Sequence, residues 1–579
     1  MDKKSLKHVI DVAMGREAAD LCLKNCKVID VFNKEVFESD ILITEGVIAG
    51  YGKADFPKAA EEIDVKGAYI APGFIDGHVH IESSHVSTAE FSRLVVPHGT
   101  TTVIADPHEI CNVCGLDGFD YMLESSEDIA LQVFFQFPSC VPATPFENAG
   151  AVLTSKEIAE RIDNPRVLGL GELMDFPGVI SADDEILNKL MVARNAKKIV
   201  DGHSPDLRGA RLDAYAAAGI RDDHECTTPE DLKDRTRRGI YVMLRQGTSC
   251  HDVVRLLPGI NEKNERFCLF CTDDRQAASL VNEGHIDNNV RLAVANGLDP
   301  LSAICMATIN AAICFGLNDR GAVAPGYRAD LILFDSLEDI RIRKVWIGGK
   351  PVAEDGKYLV TDKHIEPKKV SGKVNVKGFS ISRLELTVSS GIARTIKLIP
   401  YSVVTEVGSA KVKTDQQGRW IRDEQDIVKI AVVERHHGKG TVGLGLLEGF
   451  GLSGGAIATS VAHDSHNFIV AGDDDNDMVI AINKLIEMGG GMVVVSKGEV
   501  LGSLRHEIAG LMTDRPGKEV ADALRELEIL ARERLHINDH ADPFMTLCFM
   551  ALPIIPELKI TDNGLFDVRK FKPVTIELN

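Results

Sequence analysis

Six side chains of the kinds that hold metal ions stand at or near the ends of apolar runs in this sequence. They are His78 and His80 in Gly77-His78-Val79-His80, Glu172 in Gly171-Glu172, His203 in Gly202-His203, His224 in Asp223-His224, and Asp273 in Thr272-Asp273-Asp274. A His-x-His on extended chain puts both imidazoles on one face, because side chains repeat every two residues. One ion can then take both. Imidazole mixed with carboxylate suits Zn, Fe(II) or Mn(II) better than Ca or Mg. Taken singly, each histidine is as compatible with a satisfied core residue as with a ligand. Together, in one register at successive run ends, they point to a metal site.

The runs themselves predict the elements that must hold these groups. Apolar strand-like segments recur at 68–70, 101–107, 131–138, 166–173, 197–204, 219–225, 239–247 and 266–274, with helical patterns between them. Continuous apolar strands alternating with helices imply parallel strands buried on both faces. Eight such units over about 250 residues fit an α/β fold of the (β/α)8 barrel type, where function sits at the C-terminal ends of the strands. An open doubly wound sheet is the competing architecture. Residues 1–70 and 320–364 share a different texture, alternating apolar and polar with turn signals at Asn25, Asn33-Lys34 and Glu45-Gly46. They are expected to pair into one β-sandwich domain around the barrel of 71–319. Residues 365–579 predict an α+β domain, with strands at 426–435 and 490–500 and helices at 476–488 and 517–535.

Composition narrows the function classes. The chain has 579 residues, 65 basic against 86 acidic, and a net charge of −21. Nucleic-acid and membrane surfaces need an excess of Lys and Arg, so neither is an expected partner. Twelve cysteines are too sparse for a disulfide scaffold. No secretory signal and no apolar run of transmembrane length is visible. The expectation is a soluble cytoplasmic protein with free thiols.

PGFIDGHVHIESS, followed much later by NDRGAVAPGYRADLILFD, resembles the amidohydrolase superfamily, whose members carry a metal-bearing barrel and a β-sandwich made from both chain ends. TTTVIADPHEICNVCG, GLGELMDFPGV, DGHSP, DDHE, CTDDR, EGHID and SGGAIATSVAHDSHNFIVAGDDDNDM resemble, within it, the bacterial adenine deaminases. The resemblance implies that His78 and His80 bind the buried metal, that His203 and His224 bind a second, and that Asp273 holds metal and hydroxide. Glu172 stands where many binuclear relatives have a carboxylated lysine. It is either a bridge between two metals or a proton shuttle, and Asp274 remains an alternative to Asp273 as ligand. The implied cofactor is a divalent metal, Mn(II) or Fe(II) ahead of Zn, with one or two ions per barrel. The implied substrate is adenine and the implied assembly a homo-oligomer, a dimer. A divalent metal lowers the pKa of water from about 15.7 to about 7. The expected reaction is therefore hydroxide attack at C6 of adenine, with Asp273, Glu172 and His224 as catalytic groups and hypoxanthine and ammonia as products. Substrate contacts are expected from His108, Glu109 and Asp274, and from His463 and His466 in a segment, 453–467, expected to cover the barrel mouth as a lid.

Other readings compete. A cyclic amidohydrolase of the dihydroorotase or hydantoinase type would normally show the fourth-strand lysine. A non-catalytic barrel would have lost ligands that are all present here. His80-Ile81-Glu82 with Cys111-Asn112-Val113-Cys114 nearly matches a zinc nucleobase-deaminase signature. That reading leaves His203, His224 and Asp273 without a role. HGKGTVG at 437–443 matches a dinucleotide-binding pattern, but the following glycines make a poor helix. His436-His437 and the acidic run Asp473-Asp474-Asp475 read as polar loops or as an accessory metal site.

Overall fold

A computed structural model describes residues 1–52 and 56–578. Its centre is a barrel of eight strands: Phe74–His80, Thr100–Ala105, Gln132–Phe137, Val167–Leu173, Ile199–Gly202, Asp222–Asp223, Tyr241–Arg245, and Cys268–Cys271 continuing as Asp273–Asp274. Neighbours along this order pair in parallel. Asp273–Asp274 pairs with the first strand and closes the ring. Between the fifth and sixth strands the link is a single backbone bond, Arg221 N–H to the Val200 carbonyl at 2.8 Å. Helices follow the strands on the outside, among them Thr88–Val95, Asp184–Asn195 and Ile286–Ala295.

Glycines placed just before the polar strand ends let the strands approach. A Cβ on Gly202 would lie 2.1 Å from the Asp222 carbonyl oxygen, and one on Gly171 2.3 Å from Asp106 Oδ2. Only glycine leaves room there, which sets His203 and Glu172 at the mouth.

The run at 68–70 is not the first barrel strand. Tyr69–Pro72 belongs to an outer sheet, hydrogen bonded to Leu21–Asp30 and to Leu331–Phe334. The chain crosses from sheet to barrel at Gly73, where a Cβ would meet Thr101 Oγ1 at 2.3 Å. The outer sheet has nine strands drawn from 21–72 and 331–358. They bond as one continuous sheet around an apolar cluster that includes Leu23, Ile41, Ile70, Leu331 and Trp346. Asn25 is a bulge within the strand Leu21–Asp30, in the left-handed region, and not a turn between strands.

Beyond 365 an eight-stranded sheet runs from Thr405–Lys411 at one edge to Glu499–Arg505 at the other. Helices Asp475–Met488 and Gly517–Leu535 pack on it, and the second also meets the barrel helix Ala277–Glu283. Gly489 ends the first helix in a left-handed conformation. No helix among the described residues is long and apolar enough to cross a membrane.

The barrel and the C-terminal unit are joined where Ser87 N–H reaches the Thr513 carbonyl and Thr513 N–H the His85 carbonyl, at 2.9 and 3.0 Å. At this seam His85 and His506 stack, ring centroids 5.0 Å apart. His85 Nε2 and both ring nitrogens of His506 are buried without a hydrogen-bond partner. Burial pushes the His85 imidazole down to about 4 and that of His506 well below its ordinary value. Both rings are therefore neutral in the fold. Below the ordinary value of 6.5 the unfolded chain takes up protons that the fold refuses, so stability falls as pH drops from 6.5 toward 4. His506→Phe should flatten part of this loss. Melting temperatures of parent and variant across that pH range check it, and equal slopes refute it.

Candidate metal centre

The six strand-end groups meet in one buried cluster. His78 Nδ1 donates to Asp201 Oδ2 at 2.9 Å, and His80 Nδ1 donates to the Asp106 carbonyl at 2.9 Å. The second acceptor has no proton to give, so His80 carries its hydrogen on Nδ1. Both Nε2 atoms then point the same way and lie 3.1 Å apart. Around them lie Asp273 Oδ1, 3.0 Å from His80 Nε2, and Glu172 Oε1, 3.3 Å from it. The other Glu172 oxygen faces a second set: Oε2 is 2.7 Å from His203 Nδ1 and 3.3 Å from His224 Nε2. Those two nitrogens are 3.3 Å apart.

This donor set fits divalent metal. Two imidazole lone pairs aimed at one point repel unless a cation lies between them, and Glu172 Oε1 is buried with no hydrogen-bond partner. Each Glu172 oxygen faces one pair of imidazoles, and each of the two trios so formed is close enough to hold an ion. Burial and its histidine neighbours push the His78 imidazole down to about 4, whereas at His80, His203 and His224 the neighbouring carboxylates outweigh burial and push the imidazoles up, that of His224 to about 10. Burial raises the Glu172 carboxyl, but the surrounding imidazoles of His203, His224 and His80 more than offset this and hold it well below the carboxylate range. Asp201, behind His78, is pushed up to about 7 by burial. Asp106 Oδ2 accepts the Glu172 N–H at 2.9 Å and fixes the fourth strand end.

The cavity at the barrel mouth is lined by His80, His108, Glu172, His203, His224 and Asp273, and by Asp274, His463 and Asp464. Its apolar side is Met174 from the barrel together with Val403, Phe549, Leu552 and Ile555 from the C-terminal unit. His108 Nδ1 sits 3.3 Å from Glu172 Oε1 and His108 Nε2 3.8 Å from Asp464 Oδ1. His463 packs on Phe549, ring centroids 4.7 Å apart.

Two of the sequence-predicted substrate contacts lie behind this wall. Glu109 and His466 are buried and do not line the cavity. Glu109 Oε1 is occupied by Ser83 Oγ at 2.7 Å, and the same hydroxyl lies 2.5 Å from Asp274 Oδ1. One hydroxyl proton cannot serve two acceptors. Burial pushes the Glu109 carboxyl up from its ordinary value. His466 Nδ1 accepts the Ala462 N–H at 3.2 Å, so its Nε2 carries hydrogen and faces Glu109 Oε2 at 4.0 Å. Glu109, His463 and His466 nonetheless lie close enough together to form a further buried group of metal-ligand type.

Segment 453–467 contributes His463 and Asp464 to the wall of the mouth. Ala456–Thr459 is an inner strand of the eight-stranded sheet, and buried Arg435 holds the following turn through the His466 and Ala509 carbonyls. The acidic run is structural: Asp473 accepts the Gly454 and Gly455 amides at 2.7 and 2.8 Å, and Asp474 caps the helix that follows. The glycine-rich loop at 437–443 already holds an anion. The Glu434 carboxylate takes the amides of His436, His437 and Lys439. Cys111 and Cys114 lie on the helix His108–Cys114, and burial pushes both thiols up.

Sequence reasoning passed over Arg245 and Glu225, which also line the cavity. Arg245 ends the seventh strand and Glu225 follows His224, so both stood at strand ends. The apolar wall gave no comparable signal.

A (β/α)8 barrel with His-x-His, Glu, His, His and Asp at its mouth is the architecture of a metal-dependent hydrolase of the amidohydrolase class. The amidohydrolase family matches residues 69–352, and the adenine deaminase C-terminal domain matches 402–572. The chain is 51% identical over 578 residues to adenine deaminase 2 of Desulfotalea psychrophila, covering 100% of both chains. It is 50% identical to adenine deaminase of Nitratidesulfovibrio vulgaris over 99% of both, and 45% identical to that of Clostridium acetobutylicum over 97% of this chain and 98% of the other. The chain belongs to the adenine deaminase family.

Replacing His78 or His203 with alanine should lower metal content, measured by elemental analysis, and turnover by at least about a hundredfold, roughly 2.7 kcal/mol, with the circular dichroism spectrum kept. A folded, metal-poor variant with parental turnover refutes the arrangement.

Proposed function

We propose that this enzyme converts adenine to hypoxanthine and ammonia. The observation that carries the reading is the shared cavity, in which a hydrolytic donor cluster faces an apolar wall built largely by the C-terminal unit. A flat neutral ring suits such a wall, with polar groups at its edge for the ring nitrogens.

Bound divalent metal would supply Lewis acidity and an acidified water. His78 and His80 would hold one ion, His203 and His224 the other, with Glu172 between them and Asp273 on the first. Asp273 is placed to accept the proton of the attacking water and return it to the ring nitrogen or the leaving amine, with His224 beside it. His108 and Asp274 border the substrate space and His463 lies over it. Glu109 acts through Ser83. Phe549, Leu552, Ile555 and Val403 exclude bulk water from the reacting carbon. Mn(II) or Fe(II), a role in purine salvage, a cytoplasmic location and a dimer complete the proposal.

Ammonia release from adenine, adenosine, cytosine and dihydroorotate after loading Mn(II), Fe(II) or Zn(II) tests it. Adenine should be turned over far faster than dihydroorotate, and the reverse order would favour the cyclic amidohydrolase reading. His463→Ala should change kcat or KM for adenine by tenfold or more, about 1.4 kcal/mol. His466→Ala should act mainly on thermal stability, since its ring lies behind the wall. Unchanged kinetics in the His463 variant would remove that residue from the site.

A further inference from the structure

We propose that Arg245 is a positioning residue that keeps the Glu225 carboxylate off the metal ions while it turns Asp273 toward them. The proposal rests on the metal-dependent reading of the cavity.

Glu225 stands where a further ligand would stand. Its Oε1 lies 3.6 Å from His224 Nε2 and 3.8 Å from His203 Nδ1, close enough to share an ion with them. Both of its oxygens are instead taken by the guanidinium, Oε1 by Nη1 and Oε2 by Nη2 at 3.4 Å. The same Nη1 donates to Asp273 Oδ2 at 2.8 Å. That leaves Asp273 Oδ1 facing His80 Nε2 at 3.0 Å. Asp273 is also in the left-handed backbone region, with φ of 59°. Its direction is therefore held at both ends, by an unusual backbone and by a buried cation. Arg245 Nε completes the set on Asp252 Oδ2 at 3.3 Å.

The planar fork is what makes this possible. A guanidinium presents five donors in fixed directions and can hold several carboxylates at once, whereas an ammonium is a single point charge. Catalytic metal sites keep a coordination position open for water or substrate. A freed Glu225 would compete for that position. It would add a third carboxylate to a cluster that already has Glu172 and Asp273. Bound metal would be held more tightly and less productively. Arg245 thus acts by withholding a ligand.

The test compares the parent, Arg245→Met, and the double variant Arg245→Met with Glu225→Gln, each loaded with Mn(II). Release of metal to an excess of chelator is followed alongside kcat and KM for adenine. The parent's own metal content tests the metal reading separately. Arg245→Met should release metal several-fold more slowly than the parent and lose about tenfold or more in kcat, with KM changing less. Adding Glu225→Gln should return metal release to the parental rate and recover part of kcat. A guanidinium with only a structural role would loosen the site when removed. Equal or faster release from Arg245→Met overturns the proposal, as does a second substitution without effect. If Arg245→Met does not fold, Arg245→Lys carries the same comparison. Its single ammonium cannot hold both carboxylates, so it should show the same direction of change, with the same reversal by Glu225→Gln.

Discussion

A buried carboxylate between two pairs of imidazoles is the constraint on which the rest depends. Glu172 is almost wholly shielded from solvent, and one of its oxygens has no hydrogen-bond partner. An ionised carboxylate in such a place is costly unless cations or donors surround it. The barrel meets the demand by bringing the ends of its first, fifth and sixth strands to it. That requires Gly202 and Gly171 for close approach, and Asp201 and Asp106 to orient the imidazoles from behind. The outward layers follow from this: acceptors behind the histidines, Arg245 beyond Asp273, and the C-terminal sheet over the mouth.

Charge is arranged with the same economy elsewhere. Asp473, Asp474 and Glu434 satisfy backbone amides in their own loops. The net negative charge of the chain thus includes many carboxylates that serve as internal anions for glycine-rich turns. The glycine-rich loop and the acidic run each have a structural use of this kind. The amides that a phosphate would have used already have an acceptor.

Much of the metal cluster was legible because its residues obey strand periodicity and lie at run ends. His78 and His80 could be placed on one face from spacing alone, and the barrel rhythm brought Glu172, His203, His224 and Asp273 to the same rim. The first strand was misplaced because Tyr69–Pro72 and Phe74–His80 are both apolar, with only Gly73 between them. Periodicity cannot tell which sheet a short apolar run will join. That Glu109 and His466 do not line the cavity was hidden for a related reason. Composition shows that a polar residue is near a strand end, but not whether a neighbour such as Ser83 has already claimed it. The apolar wall was invisible, since Phe549, Leu552 and Ile555 look like any core residues until the sheet carries them over the mouth.

That wall has a consequence in time. Every ligand of the cluster lies before residue 274, yet Val403, Phe549, Leu552 and Ile555 come long after it in the chain. During synthesis the barrel ligands emerge first and the residues that shield them emerge last. The cover of the barrel mouth therefore depends on the last part of the chain to be made, and a chain cut short after the barrel would keep the polar cluster but lack Val403, Phe549, Leu552 and Ile555 beside it.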